Sequence, residues 1–150
     1  MISITMPLHL NRWKTISFPS TLYLCPVLDL LLTKIPSDLH PEIRLGLQEA
    51  LVNAARHGNQ LDPSKQVVVK FSYNKGEYSW LICDQGHGFC QCECSQPDET
   101  LPPEEAENGR GLCMLHTIFD SVLWNEQGTQ VKLSKQVHHH YFPQKAHLVS

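Results

Sequence analysis

The run QVVVKFSYNKGEYSWLICD, Gln66 to Asp84, most constrains what this chain can become. Two segments rich in β-branched and aromatic residues flank Asn74-Lys75-Gly76, a turn sequence. They read as an antiparallel hairpin, with Gln66 to Tyr73 going out and Tyr78 to Asp84 returning. A lone hairpin does not hold in water and needs further strands or a helix against one face. The rest of the chain has to supply them.

The segment before the hairpin supplies a helix. Ser37-Asp38 precede it, Pro41 falls near its first turn, and Gly58 is the expected C-cap. Ile43, Leu47, Ala50, Leu51 and Ala54 form an apolar stripe that must face the sheet. Trp13 to Phe18 reads as a first strand closed by Pro19, and Thr21 to Ile35 as a leucine-faced helix whose regular part starts at Pro26. From Gly86 to Gly109 the chain is rich in Pro, Glu, Cys and Gly, and periodicity is lost. Structureless loops of that length in a compact domain are usually functional or mobile. A helix over Gly111 to Phe119 and strands over Val122 to Asn125 and Thr129 to Gln136 follow, then a tail without clear signal.

This order predicts an α+β sandwich, with helices on one face of a mainly antiparallel, mixed sheet. A length of 150 residues, with 41% hydrophobic and 18% charged, fits one globular domain spanning the chain. Twelve basic against fifteen acidic residues give a net charge of −3, so no basic footprint for nucleic acid is present. The start lacks the pattern of a secretory leader. The most apolar window, Leu22 to Ile35, is broken by Pro26 and Asp29 and is too short to span a bilayer. The expectation is a soluble, cytoplasmic protein with no membrane partner, its six cysteines mostly reduced.

Three polar constellations stand out. In LQEALVNAARHGN, Glu49, Asn53 and His57 recur every four residues and share one helix face, with Arg56 beside them. Alone, that row reads as a solvated face. DQGHGF, Asp84 to Phe89, ends a strand with an aspartate and two glycines. An ionised aspartate only accepts hydrogen bonds, which suits an exocyclic amino group such as adenine's, and Gly86 and Gly88 would let backbone approach a flat ring. Alone, it reads as a glycine turn. NGRGLCML, Asn108 to Leu115, places glycines at an expected helix start, where unpaired N–H groups and the helix dipole favour phosphate. Alone, it reads as a hinge with a helix cap.

In this order and spacing the three become specific. Glu49-x3-Asn53 with His57-Gly58-Asn59 resembles the N box of the GHKL (histidine kinase-like) ATP-binding superfamily. Asp84-x-Gly86-x-Gly88 resembles its G1 box, Gly109-Arg110-Gly111-Leu112 its G2 box, and Gly128-Thr129 before a strand the short motif that completes its adenine pocket. The absence of an appended domain makes the chain similar to the small anti-sigma serine kinases, the RsbW/SpoIIAB-like group, from about Trp13 to Gln136. The resemblance implies a Bergerat-type ATP-binding sandwich with a lid over about 86–109 and a tail over 137–150. It implies Glu49 as general base and Asn53 as Mg2+ ligand. Asp84 would read the adenine amino group, supported by Thr129. Gly86 and Gly88 would pack at the nucleotide, while Gly109, Arg110 and Gly111 close over the phosphates. His57 would support the phosphate side or the helix end.

It further implies an ATP-dependent serine/threonine kinase that phosphorylates a STAS-type anti-anti-sigma partner and sequesters a sigma factor, acting as a homodimer. A nucleotide-dependent partner switch without kinase activity is the competing reading. The catalytic half of a sensor kinase fits less well, since no helical hairpin with a phosphoacceptor histidine is visible. Two features depart from the pattern. Cys90, Cys92 and Cys94 alternate in the lid without the paired spacing of structural zinc sites, and read as incidental thiols rather than zinc ligands or a redox sensor. The first helix lacks the basic residues that family members commonly carry for partner contact, Lys34 being its only one; Leu22, Tyr23 and Leu24 there read equally as an apolar surface for a dimer or partner and as core. His138-His139-His140 reads as a solvated tail or an appended tag.

Overall fold

A computed structural model describes residues 13–74, 76–88 and 103–137, with backbone alone for 103–110. Five strands form one sheet: β1 (Lys14–Pro19), β2 (Gln66–Asn74), β3 (Glu77–Cys83), β4 (Ser121–Trp124) and β5 (Gln130–Gln136). Their order is β1-β2-β3-β5-β4. Every pairing is antiparallel, so the sheet has no mixed part among the described residues.

Register explains the two faces. Ile16, Val69, Ile82, Val131 and Trp124 stand opposite one another in one row across all five strands. Lys14, Phe71, Trp80, Leu133 and Val122 form the next row on that face. Side chains alternate with period two, so the intervening row falls on the opposite face. It holds Thr15, Lys70, Leu81, Lys132 and Leu123, and the next row on that opposite face is a run of small hydroxyls, Ser72, Ser79, Ser134 and Ser121. One face therefore demands cover and the other does not.

Three helices provide it: α1 (Cys25–Leu31), α2 (His40–Val52) and α3 (Pro103–Ile118). Leu28 and Leu31 of α1 are buried, as are Ile43, Leu47, Ala50 and Leu51 of α2 and Leu115 and Ile118 of α3. Leu47 and Leu51 are fully buried, each worth about 1.5–3 kcal/mol of transfer out of water. Trp80 centres the core, with Phe119 edge-on to its ring at 5.7 Å. The expected first helix shortens to seven residues because Pro26 sets its start and Pro36 follows its end. Lys34 lies beyond it, and Leu24 is buried while Leu22 and Tyr23 are exposed.

Two helix expectations need correction. The helix expected to run to Gly58 is α-helical only to Val52, and Asn53–Gly58 form a wider π turn. The helix expected to begin at Gly111 begins at Pro103. Proline at a first helical position followed by Glu104 and Glu105 is a helix-start pattern, which the Pro- and Glu-rich composition disguised as loop. Cys90, Cys92, Cys94, Lys75 and the tail from His138 lie outside the described residues.

Candidate functional site

α2 delivers Glu49, and the π turn that continues it delivers Asn53 and His57. The turn is wide because the Asn59 N–H reaches back to the Ala54 carbonyl at 2.9 Å and the Leu61 N–H to Ala55 at 2.8 Å. Buried Ala54 and Ala55 let the widened turn lie on the sheet. Isolated π turns inside helices occur frequently at functional sites. Gln60 and Leu61 then take φ values of 53° and 55° and turn the chain sharply toward β2. Glu49 and Asn53 are half-buried, and His57 is more open but still partly desolvated. Burial and then Arg56 hold the His57 imidazole below its ordinary range, against an upward pull from Glu49. The carboxylate and the imidazole thus lie within electrostatic reach of each other.

Asp84 follows the last residue of β3, and its N–H donates to the Thr129 carbonyl at 2.9 Å. Its Oδ1 accepts the Gly86 N–H at 2.8 Å, and its second oxygen takes no hydrogen bond among the described residues. Burial pushes the Asp84 carboxyl above the ordinary aspartate range, against the Gly86 N–H and Lys65, which pull it down. Two glycines make the space. A Cβ on Gly58 would fall on the Asp84 carboxylate, and one on Gly86 would fall on the Gly58 carbonyl. Gly88, at φ +80°, lies against the Gln127 carbonyl. Thr129 is clamped by Asn125, whose Oδ1 accepts the Thr129 N–H and whose Nδ2 donates to Thr129 Oγ1, both at 2.9 Å. Asp84, Gly86, Gly88 and Thr129 are thereby brought together at one corner, with Gly58 beneath.

The glycines of the third motif do not open a helix. Gly109, Arg110 and Gly111 lie in the second and third turns of α3, where amide N–H groups are committed to helical hydrogen bonds. The expected phosphate cradle of unpaired N–H groups is therefore not at those positions. Gly111 does something else: a Cβ there would fall on the Glu49 carboxylate. This brings the third motif against the first. Sequence reasoning missed three contributors, namely Gly58 as the space for Asp84, Asn59 as a fully buried amide, and Asn125 as the clamp on Thr129. The signals were HGN after the polar row and Asn125-x2-Gly128 before a strand, both turn-forming patterns.

The corner suits a purine. It offers a half-buried carboxylate with one unmatched oxygen, glycine-lined backbone for a flat ring, and a positioned hydroxyl. A helix-backed antiparallel sheet with such a corner at one strand end, and a carboxylate and an amide one turn apart on the facing helix, defines a histidine kinase-like ATP-binding domain. The family model described as "Histidine kinase-like ATPase domain" matches residues 27–135, and the chain belongs to that family, in its RsbW/SpoIIAB-like anti-sigma factor group. An anti-sigma F factor of Clostridium perfringens is 31% identical over 100 residues, covering 64% of this chain and 71% of that protein. One from Halalkalibacterium halodurans is 32% identical over 100 residues, covering 64% and 68%. One from Geobacillus kaustophilus is 30% identical over the same shares. ATP is the ligand this family membership implies. No helix among the described residues is long and apolar enough to cross a membrane.

Proposed function

We propose that this protein is an ATP-dependent serine/threonine kinase of the anti-sigma type, phosphorylating a STAS-type anti-anti-sigma partner and sequestering a sigma factor when that partner is absent. The observation that carries the reading is the half-buried Glu49 carboxylate, seated against Gly111 one turn before Asn53. A solvated helix face would leave Glu49 exposed and unpacked. Glu49 is placed to orient and deprotonate an incoming hydroxyl, and Asn53 supplies an oxygen ligand of the kind Mg2+ prefers. When bound, Mg2+ neutralises phosphate charge. Phosphoryl transfer is mostly positioning and charge neutralisation, so two polar groups one turn apart suit it. Asp84 reads the adenine amino group and Thr129 supports it, while His57 stands at the phosphate side. Relatives named as anti-sigma F factors support the choice of partners, and the homodimer belongs to the same reading.

The test is transfer of labelled γ-phosphate to a STAS protein with a single candidate serine or threonine. Transfer is expected for the wild type with Mg2+ and a loss of roughly 10²-fold or more for Glu49→Ala, the contribution typical of a general base. Undiminished transfer by Glu49→Ala would remove Glu49 from the mechanism. Mg-ATP binding with no transfer to any STAS protein would leave a nucleotide-dependent switch without kinase activity.

A further inference from the structure

Asn59 is the only fully buried polar side chain among the large ones of the described core. Its amide makes three hydrogen bonds to three separate segments. Oδ1 accepts the Gln85 N–H at 2.7 Å. Nδ2 donates to Ser20 Oγ at 2.9 Å and to the Gln66 carbonyl at 3.0 Å. The partners fix which end is which, because an N–H must meet the oxygen and a carbonyl must meet the nitrogen. Each neighbour is itself fastened. Ser20 Oγ donates to the Lys65 carbonyl at 2.9 Å, and Gln85 Oε1 accepts the Gln66 N–H at 2.7 Å. Pro19, which pairs with Gln66 across the β1–β2 ladder, has no N–H to offer that carbonyl.

The clamped amide belongs to Gln85, between Asp84 and Gly86. Asp84 Oδ1 holds the Gly86 N–H, and Gly86 lies on the Gly58 carbonyl, the residue before Asn59. The corner at Gly58-Asn59 and the loop at Asp84–Gly86 are therefore laid one on the other and joined through a side chain shielded from water. A buried, fully satisfied amide resists displacement, since losing one partner leaves another unpaired. We propose that Asn59 is a positioning residue for base recognition: through the Gln85 N–H it sets where the Asp84 carboxylate stands, and so sets the preference for a 6-aminopurine over a 6-oxopurine. This rests on Asp84 reading the adenine amino group.

The test measures dissociation constants of ATP and inosine triphosphate, which carries oxygen in place of the 6-amino group, on the full chain. Asp84→Ala is the control for the reading on which the inference rests. The wild type is expected to prefer ATP by roughly tenfold or more, the worth of one hydrogen bond to a charged group, and Asp84→Ala to lose that preference. Asn59→Ala is expected to cut the preference severalfold while inosine triphosphate binds within about twofold of wild type, as both share the triphosphate. Ser20→Ala, which releases only one of the amide's donors, is expected to shift it less and in the same direction. It decides the matter if Asn59→Ala does not fold. A wild-type preference lost in Asp84→Ala but intact in the folded Asn59→Ala, or in Ser20→Ala where Asn59→Ala does not fold, overturns the role of Asn59 alone. A preference that survives in Asp84→Ala, or is absent from the wild type, overturns both. General loosening of the fold would weaken both nucleotides together, and that outcome also counts against the proposal.

Discussion

Asp84 and His57 each stand where the fold works against their charged form. For Asp84, burial raises the folded carboxyl above its unfolded value of 3.8. The unfolded chain then ionises first, so stability falls as pH rises through 3.8 toward the folded value and stays lower above it. Asp84→Asn is expected to raise the melting temperature without ATP at pH 7 and to weaken ATP binding roughly tenfold or more. Thermal melts with and without ATP check both halves, and a variant less stable than wild type would contradict the account. For His57 the sign is opposite. Its folded value lies below the unfolded 6.5, so the unfolded chain takes the proton first and stability is lost as pH falls below 6.5. His57→Gln should flatten the stability profile between about pH 6.5 and 5 relative to wild type, read by denaturant melts across that range. Identical profiles would place His57 outside the influence of Arg56 and burial.

At the scale of elements, the site depends on where helices end. The π turn at Asn53–Gly58 adds width that an α-helix lacks, and it ends with Gly58 under Asp84. A residue removed there would tighten the turn and rotate Gly58 by about 100°, the angle between successive helical residues. Deleting exposed Arg56 is therefore expected to cost ATP affinity at least tenfold, even where circular dichroism retains the helical signal. Unchanged affinity would show that the π turn is incidental. α3 makes the complementary contribution through Gly111, whose missing side chain admits the Glu49 carboxylate. The π turn was not legible in the sequence, because LVNAARHGN carries the same four-residue spacing either way. What widens the turn is the Asn59 N–H bonding back to Ala54, a choice made by the packing of Ala54 and Ala55.

For the molecule as a whole, the helices and the sheet hold one another while the nucleotide corner joins β3, the turn before β5 and the end of α2. A ligand bound across those elements stabilises the native state alone. At 100 times its dissociation constant ATP should add about 2.7 kcal/mol, or roughly 5–10 °C in melting temperature for a domain of this size. With Mg2+ the shift should grow, and Asn53→Ala should remove the Mg2+-dependent part while keeping the rest. A melting temperature indifferent to Mg2+ in the wild type would sink the ligand assignment of Asn53. The family match over residues 27–135 spans the three elements that form this corner.

The sequence by itself determined the class of fold. Alternating β-branched and aromatic residues from Gln66 to Asp84 and the stripe from Ile43 to Ala54 could bury their apolar faces only against each other. It also marked the residues proposed to carry chemistry, because Glu49 and Asn53 stand four apart on one helix and Asp84 and Thr129 each stand within two residues of a glycine. Tertiary structure decided how they meet. That Gly58 makes room for Asp84, that Gly111 receives Glu49, and that Asn59 ties Ser20, Gln66 and Gln85 together are contacts between residues 26, 62 and up to 39 positions apart. No period in the sequence reports such distances, since they depend on strand register and on where each helix stops. The start of α3 shows the same limit from the other side: Pro103 and its acidic neighbours fit either a loop or a first turn, and the packing of Leu115 and Ile118 on the sheet selects the helix.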